Sequence, residues 1–229
     1  MPETKDFTIH EAAREDKVLT VQNLVRESPQ LAIMKDEDSR TPLHWACTMN
    51  NERIIEILLP YVKVDLDELV DDSGWTPVHI VAALGNLKVL KKFMERDPRP
   101  DIDLATNTGA TGLHLAVSKN HYDLVSELIH TYKCSVRAKD RKGYTALHRA
   151  AAIGSQPLIR MLVEAKANIN ATDQDGWTPL HHALAEGHGD VGVLLVSLGA
   201  DPSAETGAGE TPADVATDDN VRKFFEKGI

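Results

Sequence analysis

Cysteine is scarce in this chain: Cys47 and Cys134 are the only two in 229 residues, and no CxxC or HExxH run accompanies them. A disulfide framework and the common zinc spacings are therefore excluded, and both thiols are expected to be reduced in a reducing compartment. No run of eighteen apolar residues occurs, and MPETKDFTIH has no signal-peptide character, so neither a membrane span nor secretion is expected. Lys and Arg number 25 against 35 Asp and Glu, and the resulting formal charge of −10 disfavours nonspecific binding to nucleic acid or anionic membrane. Catalytic signatures are missing as well. There is no GxSxG, no P-loop, no GxGxxG after a strand and no cysteine with a motif-matched histidine.

What the chain does have is one phrase used again and again: TPLHWA from Thr41, TPVHIV from Thr76, TGLHLA from Thr111, TALHRA from Thr145 and TPLHHA from Thr178. Degenerate copies stand at Phe7 (FTIHEA) and Thr211 (TPADVA), which gives anchor spacings of 34, 35, 35, 34, 33 and 33 residues. Thr is a good helix N-cap, and Pro at the first helical position gives up no needed donor. Each copy is therefore expected to start a helix. Nine residues after each anchor stand Asp16, Asn50, Gly85, Asn120, Gly154, Gly187 and Asn220, all types that tolerate the left-handed conformation ending a helix. A second apolar-periodic stretch follows each stop, as in ERIIEILL from Glu52 and QPLIRMLV from Gln156. Phrase and period together are the ankyrin signature. The expected fold is all-α: an ankyrin-repeat solenoid of seven helix-turn-helix repeats with β-hairpin-like loop tips, a single domain over 1–229 with water-facing caps at both ends.

Six histidines, His10, His44, His79, His114, His148 and His181, hold the third position after the anchor. A histidine there can bond locally at a helix start, so the column reads as structural, and neither metal nor cofactor is expected. The run EGHGD from Glu186 places Glu, His and Asp together, but it reads as a helix stop followed by a new helix start.

Function should lie where the repeat permits variation. The column just before each anchor reads Asp6, Arg40, Trp75, Ala110, Tyr144, Trp177 and Glu210; the column four after it reads Glu11, Trp45, Ile80, Leu115, Arg149, His182 and Val215. Both should line the concave face, and they hold all three tryptophans. Trp, Tyr and Arg carry much of the energy of interfaces, about 2 kcal/mol or more at hot spots. Charge is segregated there. Acids gather from Asp36 to Asp38 and from Asp65 to Asp72, bases at Lys119 and from Lys133 to Lys142 with Arg149, and acids again at Asp173, Asp175 and Glu186. Such blocks favour a protein partner with the complementary pattern.

Beyond the generic repeat, KDEDSRTPLHWAC, DDSGWTPVHIVAALGN, HLAVSKN, LHRAAAIGS and DGWTPLHHALAEGHGD resemble the gankyrin family, the last most of all its fungal branch. The resemblance implies a chaperone of proteasome regulatory-particle assembly that grips the C-terminal domain of one ATPase subunit of the base. It implies that Arg40 and Lys119 pair with partner carboxylates. Asp38, Asp71 and Asp72 would face partner bases, with Trp45 and Trp75 supplying contact area. Glu11, Tyr144, Arg149, Asp173, Asp175, Trp177, His182 and Glu186 join the candidate site by position in the face. Cytoplasm and nucleus are the expected locations, and the chain by itself is expected to be a monomer. Some animal members carry Leu-x-Cys-x-Glu in the sixth repeat, where this chain reads HALAE from His182, so the associated retinoblastoma-protein binding does not transfer. A generic ankyrin adaptor for a signalling or transcriptional partner would use the same face, since fold does not fix function.

Overall fold

The computed structural model describes residues 8–229. It divides into two compact units, one ending at Asn107 and the other running from Thr108 to Ile229. The anchor Phe7 and the neighbouring Asp6 lie outside the described residues. The first unit contains α1 (Ile9–Arg14), α2 (Val18–Glu27), α3 (Pro42–Thr48), α4 (Glu52–Leu58), α5 (Pro77–Leu84) and α6 (Leu87–Met94). Inner helices α1, α3 and α5 pack in succession, and α2, α4 and α6 each lie on their own inner helix. The second unit repeats this arrangement with α7 (Gly112–Ser118), α8 (Tyr122–His130), α9 (Ala146–Ala152), α10 (Gln156–Glu164), α11 (Pro179–Ala185) and α12 (Gly189–Ser197). There α7, α9 and α11 form the inner row, and α13 (Asp219–Gly228) closes the unit against α12.

The inner helices begin where the repeated phrase places them, and the histidine column explains how. In α3 the Thr41 N–H donates to His44 Nδ1 at 3.0 Å. Because Nδ1 accepts, Nε2 carries the ring hydrogen and donates to the Trp75 carbonyl of the next repeat at 3.1 Å. His79 does the same with Leu104, His114 with Tyr144, His148 with Trp177 and His181 with Glu210. One side chain thus caps its own helix and ties it to the following repeat. Both ring nitrogens are occupied by protein groups, which leaves neither for a metal ion.

The helix stops also fall as expected in six repeats: Asp16, Asn50, Gly85, Asn120, Gly154 and Gly187 all have positive φ. Asn220 does not follow. The Thr211 phrase makes a turn rather than a helix, so the seventh repeat supplies one helix, α13. Asp214 replaces the histidine, and its carboxylate bonds Thr211 N–H at 2.9 Å. Arg222 then takes the Ala213 carbonyl, and Asp218 caps a fresh helix by accepting from the Asn220 and Val221 N–H groups. Asn220 therefore sits in a helical first turn.

Between helices the chain makes tight tips. The Asp71, Asp140 and Asp173 N–H groups each donate to the carbonyl four residues on, at Trp75, Tyr144 and Trp177. The aspartate's own Oδ1 accepts the N–H groups two and four residues ahead. Within each unit one tip bonds the next, Asp72 N–H to Asp38 O and Gln174 N–H to Lys142 O. This ladder is tight enough that a Cβ on Gly143, at φ +85, would sit 2.9 Å from Asp173 Cα.

Candidate functional site

The tip aspartates do a second job that sets the geometry of the inner faces. Asp36 Oδ2 accepts from Trp45 Nε1 at 2.7 Å, Asp140 Oδ2 from Arg149 Nη2 at 2.6 Å and Asp173 Oδ2 from His182 Nε2 at 3.1 Å. In all three the held residue comes nine positions later, on the inner helix of the same repeat. Ile80 cannot donate, so Asp71 instead receives Arg40 Nε from the preceding repeat at 3.1 Å. Side chains fixed in this way lose less rotamer freedom on meeting a partner, which favours binding.

In the first unit two guanidinium groups stand over the Trp45 ring, Arg14 at 5.4 Å and Arg40 at 5.1 Å from its centroid. It forms one wall of a recess of about 600 Å³ that also includes Glu11, Glu37 and Asp38. Burial raises the Asp36 pKa, but the Trp45 side-chain donor and the Arg40 and Asp38 N–H groups outweigh it, so the carboxyl is held below its usual range. Trp75 and Arg40 bound a second, smaller recess of about 220 Å³ with Thr48, Ile80, Ala83 and Leu84. In the second unit Arg149 stands 4.9 Å over the Tyr144 ring. His182 meets Tyr144 edge-on at 5.1 Å and Trp177 at 5.3 Å. The result is an aromatic surface with one fixed cation. Burial, and then the Asp173 charge, push the Tyr144 hydroxyl pKa up.

These positions separate the expected site residues into two groups. Asp38, Asp72, Lys119, Asp175 and Glu186 are exposed and open to a partner, while Trp75, Tyr144, Arg149, Trp177, His182, Trp45 and Arg40 are half-buried. Asp71 and Asp173 correct the expectation, because their side chains are only 3% exposed and are filled by bonds from this chain. They build the tips and hold the contact residues. Glu11 differs from these two: it is exposed and lines the Trp45 recess. Its carboxylate accepts from the Thr8 N–H at 3.0 Å, forming a capping box for α1. Ile80 and Ala110, which shared the two columns, are buried.

The sequence reading missed Met49, Leu84 and Ile153, exposed by 45%, 43% and 37% at the ends of inner helices. Each stands eight residues after its anchor, the position that Glu15, Lys119, Glu186 and Asp219 fill in the other repeats. A large apolar residue beside a helix stop was the available signal, since exposed apolar area near polar groups marks interaction surface. The EGHGD run forms no convergent triad. His188 Nε2 donates to the Ala152 carbonyl and Asp190 accepts from Gln156 Nε2. Among the described residues no three metal-binding side chains converge, and no helix is long and apolar enough to cross a membrane.

Helix pairs, capping histidines and bonded tips define an ankyrin-repeat protein, and the family model for ankyrin repeats matches residues 9–105 and 113–206. The ankyrin-repeat domain of Bcl-3 has the same fold, with a TM-score of 0.77 over 98% of this chain and 100% of that one at 24% identity. The "probable 26S proteasome regulatory subunit p28" of Saccharomyces cerevisiae is 44% identical over 158 residues, 69% of either chain. The "26S proteasome non-ATPase regulatory subunit 10" of Dictyostelium discoideum is 33% identical over 40% of this chain and 39% of its own length. The chain belongs to the gankyrin family of ankyrin-repeat proteins.

Proposed function

We propose that this protein is a non-catalytic chaperone of proteasome regulatory-particle assembly. It holds the C-terminal domain of one ATPase subunit of the base on its inner-helix faces and, while bound, sterically keeps that subunit from docking on the core particle too early. The observation that carries this reading is the set of side chains fixed by tip aspartates, namely Trp45, Arg149 and His182, with Arg40 held by Asp71. They present aromatic and cationic contact surface beside the exposed charges of Asp38, Asp72 and Lys119. Similarity to a proteasome regulatory subunit over 69% of the chain supports the choice of partner. The chain works as a monomer in cytoplasm and nucleus, and no chemistry of its own is required.

The test is affinity capture of proteasome subunits by the tagged chain, compared with the variant Asp38→Lys, Asp72→Lys, Lys119→Glu. These three side chains are exposed, so their reversal leaves the tips intact. Arg40 is unsuitable, because a glutamate there would face the buried Asp71 carboxylate and disturb the fold. Recovery of ATPase subunits free of core particle, lost in the variant, supports the proposal. Capture that is equal in the variant, or that brings down fully core-docked particles, overturns it.

A further inference from the structure

The second unit has a cationic recess lined by none of its aromatic contact residues. Arg137 and Lys139, in the segment after α8, and Lys166, in the segment after α10, line it together with the buried Thr145 at the start of α9. Val163, Ala167, Ile169 and Ala171 line the apolar part, and the volume is about 490 Å³. None of Tyr144, Arg149, Trp177 or His182 contributes, so this surface is separate from the aromatic one. Arg137 Nε donates to the Lys166 carbonyl at 3.0 Å and Lys139 Nζ to the Thr172 carbonyl at 2.6 Å. Both heads are thereby positioned, with donors to spare. No ion pair among the described residues involves any of the three cations.

Lys166 also holds φ +69, a left-handed conformation that glycine takes 33 residues later at Gly199. A lysine stands at a position where glycine fits better.

We infer that this recess docks an acidic peptide segment of a protein partner, with carboxylates on Arg137, Lys139 and Lys166 and an apolar side chain against Val163 and Ile169. Charge complementarity selects the acidic segment, and the apolar lining selects a peptide. A nucleic-acid backbone is charged along its whole length and has no apolar group to place there, while it would be repelled by the rest of an acidic protein. The surface offers a second point of attachment beside the inner faces. Two linked attachments raise the effective affinity of whatever partner engages both.

The experiment is fluorescence anisotropy of a labelled Glu-Glu-Leu-Glu-Glu probe titrated with the full chain at low ionic strength. Saturable binding that weakens with added salt is expected. Arg137→Gln, Lys139→Gln, Lys166→Gln, which keeps polar donors at all three positions, should weaken it by about tenfold or more. Arg141→Gln, Lys142→Gln at the neighbouring tip should leave it nearly unchanged. Thermal melting of each variant establishes that it is folded. Trp75→Ala, Trp177→Ala strips the inner faces without altering charge and should bind the probe as the native chain does. Failure here is thereby distinguishable from failure of the chaperone reading. Equal probe binding by the recess variant, or tighter binding of a charge-matched DNA duplex than of the peptide, overturns the inference.

Discussion

Acid should loosen both units through the capping histidines. His44 and His148 are buried, and burial lowers each pKa from 6.5 to about 4, against the opposing pull of the Trp75 and Trp177 carbonyls. Below the ordinary histidine value the unfolded chain takes up a proton that the folded chain refuses, so the stability present above about pH 6.5 is lost as pH falls toward 4. Between about pH 7 and pH 5 each of the two histidines removes about 2 kcal/mol. One belongs to each unit, and His79, His114 and His181 act in the same direction. Urea unfolding followed by tryptophan fluorescence at the two pH values measures the loss. His148→Gln provides the internal control. It leaves the Trp177 carbonyl without the ring N–H, while a glutamine at this third helical position can still accept from the Thr145 N–H, and it should cost about 1–3 kcal/mol at neutral pH. It should also reduce the pH-dependent loss by about 2 kcal/mol, because the titrating ring is gone. Native stability that is equal or greater at pH 5, or a variant whose loss matches the native chain's, would refute the reasoning.

Asp140→Ala removes the acceptor of the Lys142 and Tyr144 N–H groups and the partner of Arg149, and should lower stability by about 2–4 kcal/mol in thermal or urea unfolding. Asp140→Asn retains Oδ1 and should cost less. Gly143→Ala and Gly199→Ala both place a side chain at positive φ, but only the first drives its Cβ against backbone, whereas nothing lies within 4 Å of the second. Gly143→Ala should be the more destabilising by about 1 kcal/mol or more in the same assay. Lys166→Gly should raise stability by up to about 1 kcal/mol by relieving its left-handed backbone, while weakening acidic-peptide binding.

Most of the scaffold was legible because each of its devices is local. A Thr with a His three residues later specifies the helix start, and Asp, Asn or Gly nine later specifies the stop. The seventh repeat departed because the final phrase has Asp214 in place of the reaching ring, so a one-turn cap followed by Asp218 replaces the regular inner helix. The site was half legible. Composition placed Trp45, Trp75, Trp177 and Arg149 in the contact columns, but it treated every acid there as available. Asp71 and Asp173 are acids of a different kind, recurring five residues before their anchors with Asp36 and Asp140, where a short acceptor must close the tip. That spacing was visible in the sequence. What linear reading could not supply was the second bond, from carboxylate to a side chain nine residues away or in the preceding repeat, because it depends on how tip and helix fold back on each other. The same holds for the basic recess, whose walls come from segments roughly one repeat apart in the chain.

The central claim is best tested by calorimetric titration of the purified chain against each C-terminal domain of the regulatory-particle ATPase subunits, with the Asp38→Lys, Asp72→Lys, Lys119→Glu variant alongside. The account predicts saturable one-to-one binding to one domain of the panel, weakened about tenfold or more in the variant while its melting temperature stays near that of the native chain. Heats indistinguishable from dilution for every domain, or equal affinity in the variant, would contradict it.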